Sequence, residues 1–146
     1  MRITADTNVL VRAAVGDDPV QSPAAAKALL AASLIAVTNP ALCEFVWVLA
    51  RAYKRSVPDI SGAIRRLLAA DNVAVDRLAA ETGLAFLEAG GDFADGIIAY
   101  EGRQLGAEVF LSFDKDAVES VKNLGRYAAS WNAWWPKRPS STAALT

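Results

Sequence analysis

Six carboxylates stand where side-chain chemistry is easiest to build: Asp6, Glu44, Asp92, Asp95, Asp114 and Asp116. The chain has no histidine, which excludes imidazole acid–base catalysis, serine triads of the usual kind and His-ligated zinc. Whatever reaction occurs must therefore rest largely on carboxylates. Carboxylates packed together repel one another until cations enter, and hard divalent ions such as Mg2+ or Mn2+ prefer oxygen ligands. Ions held in this way activate water and stabilise in-line displacement at phosphorus.

For that chemistry the acids must meet, and the elements between them say how. Arg2 to Ala5 reads as a short strand with Asp6 at its C-terminal end. Asn8 to Val15 reads as helix, and Asp17-Asp18-Pro19 as a turn; Ser22 is the expected N-cap of a second helix, with Pro23 at its first position. Ala24 to Ser33 continues that helix in strong formers, and Leu34 to Thr38 suits a buried strand. Asn39-Pro40 opens a helix from Ala41 to Lys54, with Leu42, Phe45, Val46, Leu49 and Tyr53 on one apolar face and Glu44 in its first turns. Ser56 to Ser61 breaks the pattern, Gly62 to Ala70 resumes it, and Val73 to Val75 is a third strand. Asp76 to Ala89 reads as helix, stopped by Gly90-Gly91; Asp92 begins another to about Leu105, with Gly106 as its stop. Val109 to Phe113 is a last strand, Asp114 follows it, and Lys115 to Asn123 forms a short helix. The alternation predicts an α/β sandwich with a small parallel sheet.

Ligands of open α/β sheets bind beyond the carboxyl ends of the strands. If the strands before Asp6 and Asp114 are parallel neighbours, both acids emerge on one edge, within reach of Asp92, Asp95 and Glu44. Each acid also has a plainer reading. Asp6 can cap the following helix, Asp92 can do the same with Asp95 favoured by the helix dipole, and Asp114 and Asp116 can simply open a short helix.

The 146 residues fit one domain, and 53% hydrophobic with 21% charged content describes a globular fold. No apolar run approaches the roughly 20 residues that span a bilayer. The N-terminus meets Asp6 too early for a secretory signal, and the single cysteine, Cys43, fits a reducing cytoplasm and a core position. Net charge is −1, so nucleic-acid contacts would need local basic groups: Arg12, and the set Arg51, Lys54 and Arg55. From Ala128 the chain changes character, so residues 1–127 are expected to form the domain and 128–146 a flexible tail bearing Trp131, Trp134 and Trp135. Those tryptophans pack back on the domain or meet a partner. Trp47 and Tyr53 on the Glu44 helix are expected in the core, with the lining of a partner's groove as the alternative.

Four stretches resemble the PIN-domain toxins of the VapC group: Asp6-Thr7-Asn8-Val9-Leu10-Val11-Arg12, Leu42-Cys43-Glu44-Phe45-Val46-Trp47, Asp92-Phe93-Ala94-Asp95-Gly96-Ile97 and Leu111-Ser112-Phe113-Asp114-Lys115-Asp116. They occur in the family's order across roughly residues 1–121. The resemblance implies a PIN-like three-layer sandwich and a catalytic quartet of Asp6, Glu44, Asp95 and Asp114. Within it, Asp6, Asp95 and Asp114 would hold Mg2+ or Mn2+. Asp92, Asp116, Ser112 and Asn8 take auxiliary places. It further implies an endoribonuclease toxin whose activated water attacks the phosphodiester in line, leaving a 5′-phosphate and a 3′-hydroxyl. Such a toxin is a homodimer restrained by a VapB-type antitoxin. Gly96 departs from the alanine expected after Asp95, which should loosen that helix by about 1 kcal/mol or less. A non-catalytic PIN-fold module binding RNA or protein is the rival reading. An aspartyl-phosphate enzyme is a weaker one, because Asp6-Thr7-Asn8 lacks a second acid two residues on.

Overall fold

The computed structural model describes residues 1–125 and 128–130. Strands β1 (Arg2–Thr4), β2 (Leu34–Val37) and β3 (Val73–Val75) form a parallel sheet in that order. Ile3 pairs with Ile35, which pairs in turn with Val73. Parallel strands need crossovers, and helices supply them: α1 (Thr7–Val15) and α2 (Gln21–Ala31) join β1 to β2, and α3 (Asn39–Arg51) and α4 (Val57–Ala69) join β2 to β3. Beyond β3 come α5 (Arg77–Glu88), α6 (Phe93–Gln104), strand β4 (Phe110–Ser112), α7 (Lys115–Asn123) and strand β5 (Ala128–Ser130).

The strands preceding Asp6 and Asp114 are not ladder partners. β1 bonds to β2, whereas β4 pairs in parallel with β5 in a second, two-stranded ladder. Helices link the two halves. The larger core holds Leu42, Phe45, Ile60, Ile64, Leu84, Phe93 and Ile97, and the smaller one Phe86, Ala99, Val118, Val121 and Ala128. Thus α5 gives Leu84 to one core and Phe86 to the other, and α6 divides Ile97 and Ala99 likewise. Each fully buried Leu, Ile or Phe contributes about 1.5–3 kcal/mol, so this shared packing, not a continuous ladder, holds the halves together.

Several element boundaries differ from those expected. Helix α2 starts at Gln21, so Ser22 lies inside it and Val20 stands at its N-cap without a side-chain cap bond; just ahead, Asp18 Oδ1 accepts from the backbone N–H of Val20 (2.9 Å) and Gln21 (2.6 Å). The apparent break at Ser56–Ser61 is the start of α4, with Ser56 Oγ accepting from Asp59 N–H (3.3 Å) and a proline in the first turn. Helix α3 ends at Arg51, and Lys54 adopts a left-handed φ of 52°. Trp47 is 61% exposed, since it lies beside, not on, the buried stripe of Leu42, Phe45, Val46 and Leu49. Tyr53 packs at the core's edge. Strand β5 lies past the boundary expected at 127, because Ala128 is buried against the smaller core. The rest of the expected tail, 131–146, lies outside the described residues.

Candidate active site

Three of the candidate acids cap the helix that follows them. Asp6 caps α1, its Oδ1 accepting from Thr7 N–H (2.8 Å). Asp114 caps α7, its Oδ1 accepting from Asp116 N–H (2.9 Å) and Ala117 N–H (3.3 Å). Asp92 caps α6 through Oδ1 to Asp95 N–H (3.0 Å). The capping and ligand readings therefore do not compete. A cap of this kind uses one oxygen and leaves Oδ2 for another partner.

Two groups of acids result. In the first, Thr7 Oγ1 donates to Glu44 Oε2 (3.2 Å), tying α3 to the residue after Asp6. Thr7 is only 6% exposed, so the hydroxyl is a fixed post for a carboxylate that is otherwise at the surface. In the second, Asp95 lies partly buried in the first turn of α6. Burial, and then the like charges of Asp92 and Asp114, push its carboxyl above the usual carboxylate range. Cys43, beside Glu44 on α3, is pushed up to about 11 by burial and then by Asp92 and Glu101. That thiol is inert at neutral pH, in keeping with a packing role.

Among the described residues no three acids are close enough to form a ready-made cage for an ion. The donor set nevertheless fits a hard divalent cation. It offers carboxylate oxygens without imidazole or thiolate, and Asp95 carries a desolvation and repulsion penalty that a cation would relieve.

The auxiliary residues divide. Ser112 Oγ accepts from Asp114 N–H (3.0 Å), so it orients the acid's backbone. Asp116 and Asn8 are exposed, Asp116 in the first turn of α7 and Asn8 in the wall of a cleft. That cleft, of about 660 Å3, lies between α1, α2 and α3 and reaches Thr7 and Glu44. Arg12 also lines it but is already engaged: it donates to Asp17 Oδ1 (3.0 Å), Tyr53 Oη (3.1 Å) and Gln21 Oε1 (2.8 Å). Tyr53 Oη in turn donates to Asp17 Oδ2 (2.9 Å). These bonds, Tyr53's first, hold the Asp17 carboxyl below its ordinary range. Arg51, Lys54 and Arg55 are exposed but not gathered at the acids. Arg51 lies seven residues beyond Glu44, about 10 Å along the helix, and Arg55 lines a separate cavity with Asp59 and Arg66.

Three contributors escaped sequence reasoning. Thr7 stood inside a quoted motif, yet nothing in its type announced a bond 37 residues away. Asn39 and Glu101, which bond each other across 62 residues, had no local signal. Gly96 reverses its expected role. A Cβ there would lie 2.9 Å from the Phe86 ring and 3.0 Å from Gly83 Cα, so glycine permits the close α5–α6 crossing beside Asp95.

Residues 3–123 match the family model of the PIN domain. None of the curated proteins matches the chain. Among solved structures, the Mycobacterium tuberculosis toxin VapC20, described as cleaving the sarcin–ricin loop, is similar at 18% identity and a TM-score of 0.42. The match covers 85% of this chain and 95% of that one, and is too distant to argue from.

Proposed function

The chain belongs to the PIN-domain family, and from that premise we propose that it is a divalent-metal-dependent endoribonuclease, the toxin of a toxin–antitoxin pair. The observation that carries this reading is Asp95: a partly buried carboxyl pushed above the usual carboxylate range by burial and by the charges of Asp92 and Asp114. A bound cation would relieve that penalty. The ordered resemblance of four motifs to VapC toxins supplies the substrate class and the partner.

In this reading Asp6, Asp95 and Asp114 would hold Mg2+ or Mn2+, which would supply Lewis-acid stabilisation of the developing charge. Glu44, steadied by Thr7, orients the attacking water and accepts its proton. Ser112 and the α7 cap fix Asp114, while Asp92 fixes the first turn that carries Asp95. The exposed Arg51, Lys54 and Arg55 contact RNA phosphates outside the site; Arg12 serves first as a brace of the cleft wall. The cleft, with Val11, Ala25, Ala28 and Val48 on its sides, suits an apolar helix of a VapB-type antitoxin. The toxin itself is expected as a cytoplasmic homodimer. Among the described residues no helix is long and apolar enough to cross a membrane.

The test incubates the protein and an Asp6→Asn variant with structured RNAs, in Mg2+ or EDTA. Cleavage by the parent in Mg2+ alone is expected. Cleavage in EDTA, or full activity of the variant, sinks the mechanism. RNA binding without cleavage favours a non-catalytic module.

A further inference from the structure

Glu101 is an acid in the last turn of α6, where the negative end of the helix dipole disfavours it. Its partner explains its place. Asn39 Nδ2 donates to Glu101 Oε1 at 2.6 Å, across 62 residues. Asn39 is the first residue of α3, so the carboxylate also faces that helix's positive end. Asn39 Oδ1 is buried with no partner among the described residues, which leaves the amide anchored through Nδ2.

This bond sits at the start of one acid-bearing helix and near the end of the other. Cys43, four residues along α3, lies near enough to α6 for both Asp92 and Glu101 to act on it. From Asn39 to Glu44 is five residues, about 7.5 Å at 1.5 Å per residue, and from Glu101 back to Asp95 is six, about 9 Å. The Asn39–Glu101 bond thus stands within two turns of Glu44 on α3 and of Asp95 on α6.

We infer that Glu101 is a positioning residue, whose bond to Asn39 ties together the helices carrying Glu44 and Asp95. The inference rests on the metal-site reading above. It differs from a purely stabilising cap in what must be preserved: the bond, which a glutamine also makes, not the charge.

The test is Mn2+ titration of the resting full-length protein, alongside RNA cleavage and thermal unfolding, for Glu101→Ala, Glu101→Gln and Asn39→Ala. Glu101→Ala should weaken Mn2+ binding and lower kcat by about tenfold, the lower end for residues that orient metal ligands, at unchanged KM for RNA. Glu101→Gln should stay near the parent. Asn39→Ala, which removes the bond from its other side, should reproduce Glu101→Ala and decides the matter if that variant does not fold. Parental Mn2+ affinity in both alanine variants overturns the inference. An equal loss in Glu101→Gln and Glu101→Ala also overturns it, because charge alone would then be responsible. Failure of the parent to bind Mn2+ is a distinct result, which removes the metal-site reading and this inference with it.

Discussion

The Phe86 ring lies so close to Gly96 that a Cβ on the glycine would fall 2.9 Å from two ring carbons. Phe86 is fully buried, so the ring has no free volume into which to retreat. Exchange for alanine brings opposed effects: helix propensity gains about 1 kcal/mol, while overpacking a filled site costs about 1–3 kcal/mol. The second wins. Gly96→Ala is expected to be less stable by about 1 kcal/mol, a fall of about 2–4 °C in melting temperature for a chain of this size. A rise in melting temperature would mean that propensity governs this position.

Gly96 also marks where sequence reasoning stops. The short strands and the caps at Asp6, Asp92 and Asp114 are legible because they depend on neighbours in the chain: each of these acids stands one residue ahead of the helix it caps. The four principal acids are candidates because type and order of motifs agree, with Asp6, Asp95 and Asp114 also standing at the start of a helix. Contacts between distant elements carry no such signal. Nothing near Gly96 announces Phe86, nothing near Thr7 announces Glu44, and the ladder from β4 to β5 was hidden because two alanines look like the start of a featureless tail.

The raised carboxyl of Asp95 gives a prediction with a definite sign. The folded protein holds this proton more tightly than the unfolded chain does. Its favourable contribution is therefore full below the ordinary carboxylate range and is lost as pH rises through the raised folded value. At neutral pH the ionised Asp95 works against the fold. In EDTA, Asp95→Asn should melt above the parent at pH 7, with the gap closing as pH falls below the usual carboxylate range. Added Mn2+ should reverse the order by stabilising the parent alone. A variant that melts below the parent in EDTA at neutral pH contradicts the assigned repulsion.

Thr7 tests whether Glu44 must be held. Its hydroxyl donates to Glu44 Oε2 at 3.2 Å, and valine keeps the branched shape while deleting that donor. Glu44 is exposed, so water can replace the lost bond, and stability should change by less than about 1 kcal/mol. Activity is the sensitive quantity. Thr7→Val should lower kcat on RNA by about tenfold, with KM unchanged. Parental kcat would show that Glu44 needs no post.

Strand β5 connects the chain's end to Asp114. Its register sets Ser130 beside Ser112, and Ser112 Oγ accepts from the backbone N–H of Asp114 (3.0 Å). Ala128, 2% exposed, covers Phe86, Val118 and Val121. A chain ending after residue 130 keeps the ladder, whereas one ending after residue 127 removes all three residues of β5. The shorter chain should be less stable in urea than the longer by on the order of 2 kcal/mol, from lost ladder bonds and uncovered apolar surface. It should also bind Mn2+ more weakly, because the strand that aims Asp114 has lost its partner. Equal urea midpoints and equal Mn2+ affinities for the two truncations would show that β4 holds Asp114 without β5.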